Sequence, residues 1–257
     1  MSSSRATPSL VRRFAYIPKP DGPHARLGVL WFIVACVACA LGIIAVAVLF
    51  AVVAAVAAMQ TIRVWSDTGR RAVPVLGGVA AAVVPIMAIA GPIGFGVGVV
   101  VAIGLLIVGG GMLRSNVVVG LRSAILPAIA AGSVVLIGRT DMGALVVLLV
   151  LVSAYEVGDY LMGSEANSVF EGPLSGIAAV VVVTFAQAVF QLGPFDSSAG
   201  WVFGGLVAVL APLGAPLASA LAPSAALAGP ALRRLDVWFV VAPLWGLMLG
   251  NYLSQVG

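Results

Sequence analysis

The sequence predicts an all-α, polytopic integral membrane protein of about nine transmembrane helices with a cytoplasmic N-terminus. Three observations carry that expectation. Of 257 residues, 62% are hydrophobic and only 9% are charged, with a mean hydropathy of +1.19. Long apolar segments follow one another with short turns between them, and the arginines gather in alternate turns. A soluble domain is about 25% charged and 45–50% apolar, so this chain lacks the polar surface to cover a globule in water. Lipid must be the solvent for most of it. A soluble enzyme, a nucleic-acid-binding domain and a disordered tail are excluded together. The net charge of +4 does not reopen the nucleic-acid reading. Its basic residues sit in short runs between apolar segments, as the positive-inside rule describes, and no nucleic-acid partner is expected.

Residues 1–26 read as a cytoplasmic tail bearing Arg5, Arg12, Arg13, Lys19 and Arg26, with Pro18, Pro20 and Pro23. The apolar stretch that follows is too long for the core of a signal peptide and ends without a small-residue cleavage site. No lipidation motif is present. The stretch 27–59 is 33 residues without a charge, a helix of about 50 Å against a hydrocarbon core of about 30 Å. The tail before it and the turn after it, with Arg63, Arg70 and Arg71 against Asp67, are both positive. Like flanks belong on one side, so an even number of spans must separate them. Two short spans breaking near Gly42 are therefore expected in place of one tilted helix.

The remaining spans read as 72–90, 92–113, 117–137, 142–162, 173–192, 200–221 and 237–255. Starting inside, the cytoplasmic segments are then 1–26, 61–71, 114–116, 163–172 and 222–236, which hold 11 of the 13 Lys and Arg. Arg122 can sit just beyond the 114–116 turn, which leaves Arg139 outside, next to Asp141. Gly91-Pro92, Gly172-Pro173 and Gly193-Pro194 fall at span boundaries, where a proline is tolerated in a first helical turn. Pro212 and Pro216 are expected to kink or break the eighth span. No repeat of 20–50 residues and no two-fold internal symmetry is visible, which disfavours a small membrane transporter.

Cys36 and Cys39 form a C-x-x-C inside an apolar run. Redox and zinc motifs need a polar, reachable site and further ligands, so packing on one helix face is the expectation. The single histidine, His24, lies in the tail, which removes histidine-based catalysis.

Ionisable groups at a membrane span are functional candidates by default. Glu156 and Asp159 lie three apart at the end of the sixth span and share a face, with Tyr160 four residues from Glu156. Two carboxylates at the membrane surface suit a hard divalent cation; interfacial acids bonded to arginines or loop amides are the plainer alternative. Glu171 precedes the seventh span, where a helix dipole favours negative charge. Arg233 and Arg234 precede the last span beside Asp236. They fit either the positive-inside rule or a grip on a headgroup or nucleotide phosphate. No Gly-rich phosphate loop, nucleophile–base set or zinc-protease motif is present.

In the order of these features the chain resembles the phosphatidate cytidylyltransferases (CDP-diacylglycerol synthases), from about 27 to 253 and most clearly in the C-terminal half. That family joins CTP to phosphatidic acid with Mg²⁺ held by membrane-embedded acids. Where it carries D-x-x-A-Y-x-x-G, this chain has Glu156-Val157-Gly158-Asp159-Tyr160-Leu161-Met162-Gly163. Of S-P-x-K-T-x-E-G, Glu171-Gly172 remains, with Ser168 and Val169 in place of lysine and threonine. Of G-D-x-x-E-S-x-x-K-R, Gly214 and Ser219 remain, and both acids and both basic residues are gone. L-D-R-x-D becomes Leu232-Arg233-Arg234-Leu235-Asp236, followed by Ala242-Pro243-Leu244, and the stretch between the last two elements is cut to 224–231.

The resemblance implies a polytopic helical fold in the cell membrane. Glu156, Asp159 and Asp236 would be catalytic and metal-binding acids for Mg²⁺. Arg233, Arg234 and Tyr160 would bind phosphate or a lipid headgroup, and Glu171 and Ser219 would stand nearby. Losing one charge-stabilising group costs about 10²–10³ in rate, and several are missing together. The expectation is therefore a catalytically impaired relative, a lipid-binding or assembly subunit of a membrane complex. An active CTP-dependent enzyme is the alternative. Phosphatidic acid or another phospholipid is the expected ligand, and another membrane protein or a second copy of the chain the expected partner.

Overall fold

The computed structural model describes residues 24–164, 166, 168–191 and 194–256, so most of the expected tail, 1–23, lies outside the described residues. Eleven α-helices are found among them: α1 (His24–Leu41), α2 (Ile43–Asp67), α3 (Pro74–Ala88), α4 (Pro92–Met112), α5 (Val117–Thr140), α6 (Met142–Gly163), α7 (Glu171–Phe190), α8 (Ser197–Leu210), α9 (Gly214–Leu221), α10 (Pro230–Leu235) and α11 (Trp238–Val256). No strand occurs among the described residues. Among the described residues seven helical runs are long and apolar enough to cross a membrane: Ile43–Asp67, Pro92–Met112, Val117–Thr140, Met142–Gly163, Glu171–Phe190, Ser197–Leu221 and Pro230–Gln255. Gly28–Leu41 and Pro74–Ala88 are apolar and shorter.

The boundaries follow local chemistry. The apolar run after the tail is interrupted at Gly42, whose φ of 98° is open to glycine and costly for other residues. Helix α1 itself starts at His24, three residues before the apolar run on which the tail boundary rests. Pro74 and Pro92 sit in first turns, where a missing N–H costs nothing. Asn116, Asp141 and Asp196 accept the N–H groups of Val119, Ala144 and Ala199 and cap α5, α6 and α8. At Pro212 the chain tightens into a 3₁₀ turn (Ala211–Leu213) and resumes as α9, so the eighth expected span is an interrupted helix.

Alternation of direction sorts the turns into two ends. At one end the α2–α3 and α4–α5 turns meet through the Asn116 N–H on the Arg71 carbonyl and the Val73 N–H on Ser115 Oγ. The C-terminus of α6, the start of α7, and α9–α10 lie there too, tied by Gln60 Oε1 to the Ala231 N–H. At the other end Arg139 donates to the Ile89 carbonyl and Tyr252 to the Pro194 carbonyl. Arg63, Arg70, Arg71, Arg114, Arg122, Arg233 and Arg234 thus share the first end, and Arg139 lies at the second.

The core is built from small residues and a few large ones. Trp238, Trp245, Leu148 and Leu232 are fully buried among alanines of α2, α3 and α5. The outer surface is equally apolar: Ile93, Leu41 and Val182 are 83%, 74% and 68% exposed, as lipid-facing positions should be. Cys36 and Cys39 are free thiols, half-buried against the core.

Candidate functional site

The expected site residues come together where α6 ends, α7 begins and α9 and α10 fold across the same end of the bundle. Close packing of α6 on α7 sets the positions. Gly172-x-x-x-Gly176 on α7 meets Tyr155, Gly158, Asp159 and Gly163 on α6. A Cβ at Gly176 would stand 2.7 Å from the Tyr155 ring, and one at Gly172 2.5 Å from Asp159 Oδ1. Small residues at this spacing let membrane helices approach backbone to backbone. Sequence reasoning passed over this spacing and read Gly172 only with Pro173 as a span boundary and with Glu171 as a motif remnant.

Glu156 and Arg234, 78 residues apart, form an ion pair at 3.3 Å between Oε2 and Nη1, with side chains 21% and 23% exposed. Glu156 Oε1 is buried and has no hydrogen-bond partner. Arg234 also lies against Gly28 at the start of α1, where a Cβ would stand 3.4 Å from Nη1. The neighbouring Arg233 is held from three sides. Nη1 donates to the Ala215 carbonyl at 3.3 Å, and Nη2 donates to Ser219 Oγ at 3.2 Å and to the Ala225 carbonyl at 2.9 Å. Ser219, 2% exposed, in turn donates to the Ala215 carbonyl. Arg233 therefore braces α9 and the 3₁₀ turn that follows it.

Asp159, on the same α6 turn as Glu156, and Asp236, two residues after Arg234, are half-buried. Asp236 Oδ1 accepts from the Val237 N–H at 2.7 Å, and its peptide packs against Gly214. The site thus holds three carboxylates against two guanidiniums. Among the described residues no group of three or more His, Cys, Asp or Glu is placed to hold a metal ion. Of the three carboxylates, Glu156 has the buried oxygen without a hydrogen-bond partner among the described residues.

No family model, curated protein or solved structure matches the chain.

One expected member stands apart from the Glu156–Arg234 clasp. Glu171 is exposed in the first turn of α7, and its Oε1 accepts from the Ser168 N–H at 3.0 Å. This is a first-turn carboxylate accepting a turn N–H just before its own helix. Tyr160 is half-buried on α6, one helical turn beyond Glu156. What sequence reasoning missed are the backbone acceptors of Arg233. Carbonyl groups of Ala215 and Ala225 carry no residue-type signal, so only their placement in space reveals them.

Proposed function

We propose that this chain is a nine-span protein of the cell membrane with a cytoplasmic N-terminus. In this reading it is a catalytically impaired relative of the phosphatidate cytidylyltransferases that binds phospholipid and serves as a lipid-binding or assembly subunit. The observation that supports this best is the commitment of its cations. Arg233 is engaged by Ala215, Ser219 and Ala225, and Arg234 by Glu156. Nucleotidyl transfer depends on cationic groups aimed at phosphate oxygens as charge develops on them. Guanidiniums spent on backbone carbonyls and on a neighbouring acid serve the fold instead.

A second reading, an active CTP-dependent enzyme, draws on the buried, unpartnered Glu156 Oε1 with Asp159 and Asp236 nearby. There a divalent cation would offset the excess of carboxylates. One experiment separates the two. Purified protein in proteoliposomes receives phosphatidic acid, labelled CTP and Mg²⁺, and labelled liponucleotide is scored against empty liposomes. The subunit reading expects no product from protein shown to be folded, and a partner that co-purifies at fixed stoichiometry. Labelled product lost in Glu156→Ala overturns it in favour of the enzyme.

A further inference from the structure

Trp65 closes α2 at the arginine-rich end and is 8% exposed. Its ring is fixed by the indole N–H, which donates to the Leu221 carbonyl at 2.7 Å. Arg122, from the second turn of α5, donates to the neighbouring Ala220 carbonyl. These two carbonyls end α9, where a helix dipole presents partial negative charge, so Arg122 is partly compensated there. The Arg122 guanidinium carbon then stands 5.0 Å from the Trp65 ring centroid, and that of Arg70, from the α2–α3 turn, 5.3 Å. Each is a cation–π contact. The two guanidinium carbons are consequently no more than about 10 Å apart.

Both arginines are exposed, and neither forms an ion pair among the described residues. Asp67, the carboxylate in this part of the chain, is exposed and pairs with neither. Arg63, Arg71 and Arg114 at the same end are also exposed and unpaired. Two like charges converge on one ring, and among the described residues no carboxylate pairs with either.

We propose that Arg70 and Arg122, set against Trp65, form a binding site for a phosphate group, separate from the Glu156–Arg234 clasp and independent of the function assigned to it. A phosphate bridging two guanidiniums through N···O contacts of about 2.8 Å spans roughly 8 Å between the guanidinium carbons, within reach of these side chains. Arg offers the planar fork that phosphate oxygens match. Tryptophan at the membrane interface and arginines at headgroup level suit the phosphodiester of an anionic phospholipid. A free phosphate carries the same chemistry.

The test uses the full chain in neutral detergent. Bound phosphatidylglycerol and phosphatidylcholine are counted by native mass spectrometry, and inorganic phosphate is titrated by calorimetry without lipid. Wild type is expected to prefer phosphatidylglycerol, Arg70→Gln to weaken it about fivefold, and Arg70→Gln with Arg122→Gln about 25-fold. Arg63→Gln, exposed at the same end but clear of the Trp65 ring, changes it less than about twofold. Inorganic phosphate binding that Arg70→Gln weakens supports the site with the free anion as ligand. Its absence, with phosphatidylglycerol retained, assigns the lipid. Because the Arg70 side chain makes no hydrogen bond among the described residues, and the main-chain N–H that donates to the Trp65 carbonyl at 3.3 Å is kept in glutamine, Arg70→Gln reports on binding with the fold intact. The proposal is overturned if Arg70→Gln binds both probes as wild type does. Equal weakening by Arg63→Gln, which would mean diffuse surface charge, or wild type that binds neither probe, also overturns it.

Discussion

Replacing Gly176 by alanine should loosen the seam that presents the site. The new Cβ would stand 2.7 Å from Cδ2 and Cε2 of Tyr155 and 2.9 Å from the Tyr155 carbonyl oxygen. Carbon atoms prefer about 3.5–4.0 Å, so α6 and α7 must part by roughly 0.8 Å or Tyr155 must leave its rotamer. The ring cannot turn aside freely, because Tyr155 is 5% exposed. The backbone oxygen cannot move without its helix. Overpacking of this kind costs about 1–3 kcal/mol, while alanine recovers up to about 1 kcal/mol of helix propensity. With the full propensity gain, a net loss of up to about 2 kcal/mol follows, and a deficit of about 1–3 kcal/mol against an alanine that meets no neighbour. Gly104→Ala on α4 is the matched control, since nothing lies within 4 Å of its Cβ position, and it should be neutral or stabilising. Unfolding in mixed micelles of mild detergent and dodecyl sulfate, followed by circular dichroism, gives both free energies. If Gly176→Ala proves as stable as Gly104→Ala, close α6–α7 contact does not set the seam and the reasoning fails.

Two other outcomes are expected. A double-mutant cycle of Glu156→Gln and Arg234→Gln should give a coupling energy of about 1–2 kcal/mol, above an exposed surface pair because both side chains are mostly shielded; a coupling near zero in the same micelle assay would remove the clasp. The Asp196 carboxylate, held below the ordinary range by the Ala199 N–H and the Ser198 hydroxyl, should contribute its cap fully above the unfolded pKa of about 3.9. That contribution is lost as pH falls through the lower folded value. Asp196→Ala should flatten the acid limb of the stability profile, and an unchanged limb counts against the cap.

Much of the fold was legible before any coordinates. Hydropathy marked the apolar runs, and Gly42, Gly91-Pro92 and Pro212 punctuated them for reasons that act within a few residues: a positive φ, a fixed φ, a missing N–H. The candidate acids and arginines stood out because charge is rare in such a chain, and the structure brings Glu156, Asp159, Arg233, Arg234, Ser219 and Asp236 to one end of the bundle. Glu171 stood out equally and belongs to a helix start.

Which face of each helix packs inward was a different matter. On α4, Val100 is 70% exposed and Leu106 2%, yet both are aliphatic, because lipid is as apolar as a protein core and places no polar residue on the outer face. The periodicity that orients a helix in a soluble protein is therefore missing. Length, span placement and the charge asymmetry of the turns were determined by the sequence alone, since each depends on neighbours along the chain. The pairing of Glu156 with Arg234, the backbone carbonyls around Arg233 and the meeting of Arg70 and Arg122 at Trp65 depend on helices far apart in the chain. Those the tertiary structure decided, through contacts between small residues whose partners hydropathy cannot name.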